Sequence, residues 1–219
     1  MQKICIYDRT VIYLYHQFRF KMTKGDETRQ FIIERAAPIF NTKGIEATSM
    51  SDIMEATKLS KGSHYVHFKD KNDLATAVVE YNIQTLARKI EVTLSKLPTA
   101  KEKLFAFTDI TTDVLNPLVT GGCPMMNIAT EVDDTNPGIN IKIKQGLDNT
   151  VNLIAGLVNL GISRGEFRTD WNGKDFGTVM FSMIEGAVMM GRVDHNNNKT
   201  KLVAKKIKEM INNQAYNFY

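Results

Sequence analysis

Three pairs of hydrogen-bonding side chains recur between Ser49 and Leu74, in the stretch SMSDIMEATKLSKGSHYVHFKDKNDL. The pairs are Ser49 with Asp52, Ser60 with Ser63, and Asp70 with Asp73. A serine or aspartate oxygen at the first position can accept hydrogen bonds from the free backbone N–H groups of a new helix, and an acidic residue in the first turn suits the helix dipole. The spacing therefore predicts three helix starts, two for very short helices and one for a long helix.

Two helices this short cannot bury a core by themselves. The turn between them falls near Lys58 to Ser60, and their dimensions match a helix-turn-helix, whose second helix enters the major groove of DNA. Between Lys58 and Lys71 there are four lysines against one aspartate, a charge of +3. A basic face of this kind can also be merely solvated. The motif and the local charge together favour double-stranded DNA as the partner.

The composition is that of an ordinary globular protein. The chain has 219 residues, 43% of them hydrophobic and 24% charged, with a formal net charge of +4. This length accommodates a small domain joined to a larger one, and the net charge permits a nucleic-acid partner without requiring one. Cys5 and Cys123 lack disulfide or metal-ligand spacing, and no run approaches the roughly twenty apolar residues of a membrane span. We therefore expect a protein of the reducing cytoplasm.

Apolar residues recur at helical spacing and no convincing strand alternation interrupts them, so we expect an all-α protein. The first helix is predicted over Thr28 to Asn41, with Pro38 weakening its last turn and Gly44 able to end it in a left-handed conformation. A long helix is predicted from Lys71 to about Leu97. The core of the three-helix head is expected to include Ile45, Met50, Ile53, Ala56, Leu59, Val66 and Phe68.

Five further helices are predicted over residues 101–119, 124–132, 138–165, 172–193 and 199–216, which gives about nine in all. Pro124 suits the first turn of one of them. We divide the chain into an extension over 1–22, a DNA-binding domain over 23–69 and a larger helical domain over 70–219. The extension is aromatic but makes a poor signal peptide. We interpret it as upstream sequence or a poorly ordered arm before Met22; the alternative is a short amphipathic helix laid on the head.

The head resembles that of the TetR/AcrR family of bacterial transcriptional regulators. The resemblance rests on an apolar first helix ending at Phe40 and Gly44, followed by GIEATSMSDI and LSKGSHYVHFKDKNDL. Behind the head, GGCPMMNIATEV, GISRGEFRTD and MIEGAVMMGRV are similar, more weakly, to a ligand-binding half common in the family. The resemblance implies a ligand-responsive regulator, most simply a repressor that a small molecule releases from a near-palindromic operator. His64 departs from the pattern, because that position is more often small or aliphatic.

The resemblance also implies roles for individual residues of the head. Ser60 caps the recognition helix, and Gly62 keeps its first turn thin. The side chains expected at base edges are Lys61, Ser63 and His64. Phosphate contacts are expected from Thr48, Ser49, Tyr65, His67 and Lys71. A metal pair of His64 with His67 lacks a third ligand nearby, so we expect neither a metal nor a cofactor.

For the larger domain, the resemblance implies a homodimer through the last two helices and a cavity for a partly apolar effector. The residues expected at the cavity are Phe105, Phe107, Ile110, Val114, Cys123, Met126, Met180, Met183, Ile184 and Glu185. Methionine adapts to varied ligand shapes, although a methionine stripe is also ordinary core. Glu185 is either the polar anchor for the effector or a carboxylate that is hydrogen-bonded within the helix bundle.

Cys123 leaves two alternatives open. It stands just before a predicted helix start, a position that lowers the pKa of a thiol, and some relatives sense electrophiles or oxidants through cysteine. A redox-sensing or electrophile-sensing regulator is therefore the second hypothesis. An enzyme with Cys123 as nucleophile is the third, but no histidine stands in the context of a general-base motif, so we do not expect an enzyme.

Overall fold

The computed structural model describes residues 23–216, so both interpretations of the N-terminal extension, residues 1–22, lie outside the described range. Within that range the predicted all-α architecture is confirmed, and the only extended pairing is one isolated bridge between Phe167 and Ala215. The described helices number nine: α1 Lys24–Lys43, α2 Met50–Thr57, α3 Lys61–His67, α4 Lys71–Leu94, α5 Ala100–Thr112, α6 Pro124–Val132, α7 Pro137–Ser163, α8 Gly173–Asp194 and α9 Asn198–Gln214.

Side-chain caps set the starts of α2, α3 and α4 where the sequence predicts them. The backbone N–H groups of Asp52, Ser63 and Asp73 donate to Ser49 Oγ, Ser60 Oγ and Asp70 Oδ1 at 3.1, 3.3 and 2.8 Å. Helix α1 begins at Lys24, before the apolar stripe that starts at Thr28. A fourth cap lies further back, where the Asp26 N–H donates to Thr23 Oγ1 at 3.2 Å and the Asp26 carboxylate accepts from the Thr23 N–H. This capping box outweighs the low helix propensity of Gly25.

The core of the head contains most of the predicted residues. Ile45, Ile53 and Phe68 are buried, and Met50 and Leu59 pack against them while partly exposed. Ala56 and Val66 are exposed, so their assignment to the core is wrong. In a helix as short as α3, His64 and Phe68 fall one turn apart on the inward face, and Val66 between them must point away from it.

The long helix α4 connects the head to the rest of the molecule. It packs on α1 and also contacts α5, α6 and α7, so the division of the chain at residue 70 stays a prediction. In the larger part, α7 and α8 form the most extensive helix pair, α9 lies against α8 and α5, and α6 touches α1, α4 and α7. No helix within residues 23–216 combines the length and the apolar character that crossing a membrane requires.

The segment between α5 and α6 departs from its predicted form. Helix α5 ends at Thr112 and not at Val119, because the Asp113 carboxylate accepts hydrogen bonds from the backbone N–H groups of Leu115 and Asn116 at 3.1 and 3.2 Å. Such a bond competes with the helical hydrogen-bond pattern. The residues released from the helix form a loop that reaches the start of α6 at Pro124.

Candidate nucleic-acid interface and ligand cavity

The recognition helix α3 is fixed to the head by its inward face. His64 and Phe68 are almost fully buried. The two ring nitrogens of His64 lie 3.0 Å from the hydroxyl oxygen of Thr57 in α2 and 3.0 Å from the carbonyl oxygen of Ser60 at the α3 N-terminus. The imidazole therefore ties the two helices of the helix-turn-helix together and satisfies its own polar atoms inside the protein.

Two of the residues predicted to contact DNA are thereby corrected. His64 is only 1% exposed, so its side chain cannot reach a base edge in this arrangement. Thr48 is also buried, and its hydroxyl donates to the carbonyl oxygen of Gly44 at 2.6 Å, so this hydroxyl is not a phosphate ligand. Both side chains instead form hydrogen bonds within the head that stabilise the helix-turn-helix.

The outward face of α3 remains available to a groove. Lys61, Gly62, Tyr65 and Val66 are exposed, and Ser63 is partly exposed. A side chain at Gly62 would meet no protein atom within 4 Å, so the packing of this chain does not require a glycine there. The Lys61 ammonium lies 5.8 Å from the centre of the Tyr65 ring, which extends a cationic and aromatic surface along the helix. Val66 is 80% exposed, and an apolar side chain of this kind can contact a thymine methyl group.

The flanks of the motif carry the other predicted phosphate ligands. Ser49 is exposed at the N-cap of α2, where hydrogen bonds from Lys43 and Ser49 lower the pKa of Asp52 to about 2 and keep this carboxyl ionised. His67 is partly exposed at the end of α3. The Lys71 ammonium donates to the carbonyl oxygens of Ile45 and Glu46 at 3.0 and 3.3 Å. Lys71 therefore braces the loop before α2, with one donor left for a phosphate.

A cavity of about 190 Å³ lies among α4, α5, α7, α8 and the α5–α6 loop. Five predicted residues line it: Phe107, Ile110, Val114, Cys123 and Glu185. The other five, which do not line it, are Phe105, Met126, Met180, Met183 and Ile184. Met180 and Ile184 are buried core, and Phe105 and Met126 face separate surface grooves. The cavity side of α8 carries Phe181, Glu185, Val188 and Arg192 at helical spacing.

The polar centre of the cavity is a contact between Glu185 and Cys123. Burial raises the pKa of the Glu185 carboxyl, and a hydrogen bond with the Cys123 thiol partly offsets the shift. Burial also raises the pKa of the Cys123 thiol well above its usual value, and the Glu185 charge raises it further. Its place at the start of α6 does not outweigh these effects, so the predicted lowering of the Cys123 pKa is wrong.

A chain of hydrogen bonds joins the cavity wall to the head. The Arg192 guanidinium donates to Asn127 Oδ1 in α6. The Asn127 amide donates in turn to the backbone carbonyls of Asn41 and Gly121, at 2.9 and 2.7 Å. The buried Asn41 amide at the end of α1 donates to the carbonyls of Thr120 and Gly122, at 2.7 and 3.0 Å. Arg192, Gly121 and Gly122 themselves line the cavity.

The other end of α6 holds the loop between α1 and α2. The Glu131 carboxylate accepts hydrogen bonds from the backbone N–H groups of Ile45 and Glu46, at 2.9 and 2.5 Å. Cys123 and Met125, at the opposite end of the same helix, line the cavity. Helix α6 thus contacts the ligand cavity and the loop that leads into the helix-turn-helix.

Comparison with known proteins identifies the family. Residues 32–78 match the model described as bacterial regulatory proteins, tetR family, and residues 100–207 match the tetracyclin repressor-like C-terminal domain. A TetR-family transcriptional regulator from Cytophaga hutchinsonii is 31% identical, with 90% of this chain and 99% of that one covered and a TM-score of 0.86. The chain belongs to the TetR family.

Two further relatives agree with this membership. A TetR transcriptional regulator from Chloroflexus aurantiacus J-10-FL is 33% identical over 89% of this chain and 98% of its own, with a TM-score of 0.83. The HTH-type transcriptional repressor DhaR of Mycobacterium sp. (strain GP1) is 22% identical over 77% of this chain and 84% of its own. As a TetR-family member, the protein is a ligand-responsive, DNA-binding transcriptional regulator.

Sequence reasoning missed the residues that join the two sites of this TetR-family chain. The sequence gives one indication of these contacts at Asn41, which is a polar residue directly after Phe40 in the apolar last turns of α1. Asn127 and Glu131 stand four residues apart, on one face of α6, but nothing in their spacing indicates which element that face meets. Arg192 follows Glu185 by seven residues and so shares its face of α8.

Proposed function

We propose that the protein is a cytoplasmic repressor that holds a near-palindromic operator as a homodimer and releases it when a small, partly apolar molecule occupies the cavity. The observation that carries this proposal is the hydrogen-bond chain from Arg192 in the cavity wall through Asn127 to Asn41 at the end of α1. A ligand that displaces the cavity wall acts on α6, and α6 holds the loop that leads into the helix-turn-helix. The ligand must bind the released geometry more tightly than the DNA-bound one.

An exposed apolar surface supports the homodimer. The outward side of α8 carries Val179, Met189, Met190 and Val193, and Leu202 is exposed on α9, which packs on α8. Gly186 lies within the same surface, where a side chain would meet no atom of this chain. Small and flexible apolar residues let two helices approach closely, and an apolar patch of this kind is typical of an interface. We assign these residues, named here the α8–α9 surface, to the contact between two copies.

An enzymatic function receives less support. A cysteine nucleophile works as a thiolate, and burial raises the pKa of Cys123. Among the described histidines, His64 and His67 belong to the head and His195 caps the end of α8, so no imidazole stands beside the thiol as a base. The same pKa shift removes the support for a thiol sensor. We therefore propose a regulator that responds to a bound ligand.

The DNA-binding part is tested with the region upstream of the protein's own coding sequence and with random DNA of equal length. Replacing Lys61 with Ala removes a cation from the outward face of α3 and should cost about 1–3 kcal/mol per half-site on the specific fragment. The matched control is Lys96→Ala, which removes an exposed lysine just beyond the C-terminal end of α4. That end lies on the order of 35 Å from the start of α4 beside the head, so the affinity for DNA should not change.

Fluorescence anisotropy over a range of salt concentrations measures these affinities. If the wild type prefers neither fragment and Lys61→Ala binds both as the wild type does, the assignment of α3 to the groove fails. A reporter gene behind the same upstream region then tests repression, because deleting the regulator should raise its expression. Lower expression after deletion would instead show an activator.

A further inference from the structure

The ligand cavity contains a partly buried acid that has no counter-ion. Glu185 Oε2 has no hydrogen-bond partner and is shielded from solvent, and the Cys123 thiol is the group that lowers the pKa of this carboxyl through a hydrogen bond. None of the ion pairs among residues 23–216 includes Glu185. A carboxylate oxygen that is shielded from water and lacks both a cation and a hydrogen bond is destabilising. Something that binds at this cavity can relieve that cost.

The other charged groups at the cavity already have partners. Asp113 accepts hydrogen bonds from the side chains of Asn116 and Asn197, at 3.0 and 2.8 Å. The Arg192 guanidinium is bonded to Asn127, and no basic side chain contributes to the pKa shift of Glu185. Glu185 is therefore the charged group at this cavity that a ligand can pair without breaking an existing contact.

The size and the walls of the cavity limit the rest of the ligand. A volume of about 190 Å³ is slightly larger than the roughly 150 Å³ apolar cavity that accepts benzene in another protein. Apolar side chains line it, from α4 (Leu86, Ile90), α5 (Phe107, Ile110) and α8 (Phe181, Val188). A ligand of one ring with a short substituent fills such a space. The terminal torsion of glutamate is soft, so a small rotation brings the shielded oxygen to a donor.

We propose that the effector is a small organic cation, an ammonium group on an apolar body of about one ring, and that Glu185 is the residue that pairs with its charge. This inference rests on the proposed function, since it names the ligand class of the same cavity. The ammonium contacts the Glu185 carboxyl, and the apolar body occupies the space between Phe107 and Phe181. Cation binding also explains the carboxylate that stands between Phe181 and Val188 on the cavity side of α8.

The test compares three ligands of nearly equal shape on the purified full-length protein: benzylamine, benzyl alcohol and toluene. Isothermal titration calorimetry and thermal shift at pH 7 measure binding. We expect benzylamine, protonated at this pH, to bind at least tenfold more tightly than either neutral ligand. In Glu185→Gln, which keeps the shape and loses the charge, this preference should fall to within about twofold. The control Glu91→Gln removes an exposed acid of α4 that does not line the cavity, and it should keep the preference.

Every outcome decides the inference. Equal binding of benzyl alcohol and benzylamine would show that the site needs a donor without charge, and equal binding of toluene would show an apolar cavity only; either overturns the proposal. Lack of binding by benzylamine overturns it as well. A preference that survives in Glu185→Gln would show that Glu185 does not pair with the cation, which also overturns the proposal. If that variant does not fold, equal binding of the three ligands by the wild type still overturns it. None of these measurements uses DNA. A protein that binds its upstream region but not the cation would therefore contradict the proposed ligand class and leave the proposed DNA-binding function standing.

Discussion

At the scale of single residues, the environment decides the chemistry of Cys123 and Glu185. Both groups stand at the ligand cavity, and the pKa of each rises because burial disfavours its charged form. The charge of Glu185 and a hydrogen bond with its carboxyl raise the pKa of the thiol further, which keeps the proton on sulfur. Cys123 therefore remains a neutral thiol beside Glu185, and a reactive thiolate is disfavoured.

The raised pKa of the Cys123 thiol predicts that this residue is a slow nucleophile in the folded protein. In a Cys5→Ser background Cys123 is the only cysteine. Its alkylation by iodoacetamide at pH 7.5 should be at least tenfold slower in the folded protein than in the same protein unfolded in urea, because alkylation requires the thiolate. Mass spectrometry over time measures both rates. In Glu185→Gln the alkylation should speed up, since the neighbouring charge is removed. Folded and unfolded rates that agree would restore the sensor hypothesis.

The residues of the head show which roles a sequence can predict. Ser49, Ser60 and Asp70 act locally, on N–H groups a few residues away, so their spacing along the chain was enough to predict their caps. His64 acts across two helices, on Thr57. Its polar side chain suggested a base contact, whereas the position it occupies on α3 is the inward one. Only the family's preference for an aliphatic residue there indicated burial.

At the scale of elements, α6 connects the two sites although it has only nine residues. Its first turn lies at the cavity, Asn127 bonds α1, and Glu131 holds the loop before α2. The close approach of the α5–α6 loop supports this link, since a side chain at Gly121 would stand 2.6 Å from the Asn41 carbonyl oxygen. Helix starts could be predicted from the sequence, but these contacts join residues about eighty positions apart, which no local pattern encodes.

The link predicts a local effect of removing the Asn127 amide. Asn127→Ala breaks the bonds to Asn41, Gly121 and Arg192 and leaves buried polar groups unpaired, at a cost of about 1–3 kcal/mol for each group that water cannot reach. Hydrogen exchange should therefore speed up at the end of α1 and in the loop before α6, while α9 stays protected.

The matched control for this experiment is Asn159→Ala, at an exposed asparagine of α7. It should leave the exchange pattern of the wild type unchanged. Uniform acceleration across all helices of the Asn127 variant would indicate general destabilisation, and unchanged exchange at both segments would show that the amide does not hold them. Either result would remove α6 from the path between the cavity and the head.

At the scale of the whole molecule, the recognition helix and the α8–α9 surface have to work together. A helix-turn-helix dimer places its two recognition helices in successive major grooves, about 34–36 Å apart, and that distance is set by how the bodies of the two copies meet. The family fold could be predicted from the head alone, because its caps and glycine occur in a fixed order. The exposed side of α8 could not be predicted in this way. Met180 and Met189 are the same residue type, and only the packing of the folded chain shows that Met180 is buried and Met189 is exposed.

Replacing Val193 with Asp should therefore turn the proposed dimer into a monomer. Val193 is 76% exposed on the α8–α9 surface, so an aspartate there should not disturb the fold of one copy. In the dimer, however, it leaves an unpaired charge in each half of the interface. The dimer dissociation constant should therefore rise on the order of a hundredfold. The control Ile141→Asp changes an apolar residue of α7 that is 57% exposed and lies outside that surface. Sedimentation should give twice 24.7 kDa for the wild type and the control, and 24.7 kDa for Val193→Asp.

The same variant separates dimerisation from DNA contact. A monomer presents one recognition helix, so it makes about half the phosphate contacts, and the slope of log affinity against log salt should fall to about half of the wild-type value. Affinity for random DNA should decline less than affinity for the upstream fragment, because specificity requires two half-sites held at a fixed spacing. A Val193→Asp protein that sediments as a dimer with an unchanged salt slope would place the contact between copies elsewhere, and the spacing of the recognition helices would then depend on another surface.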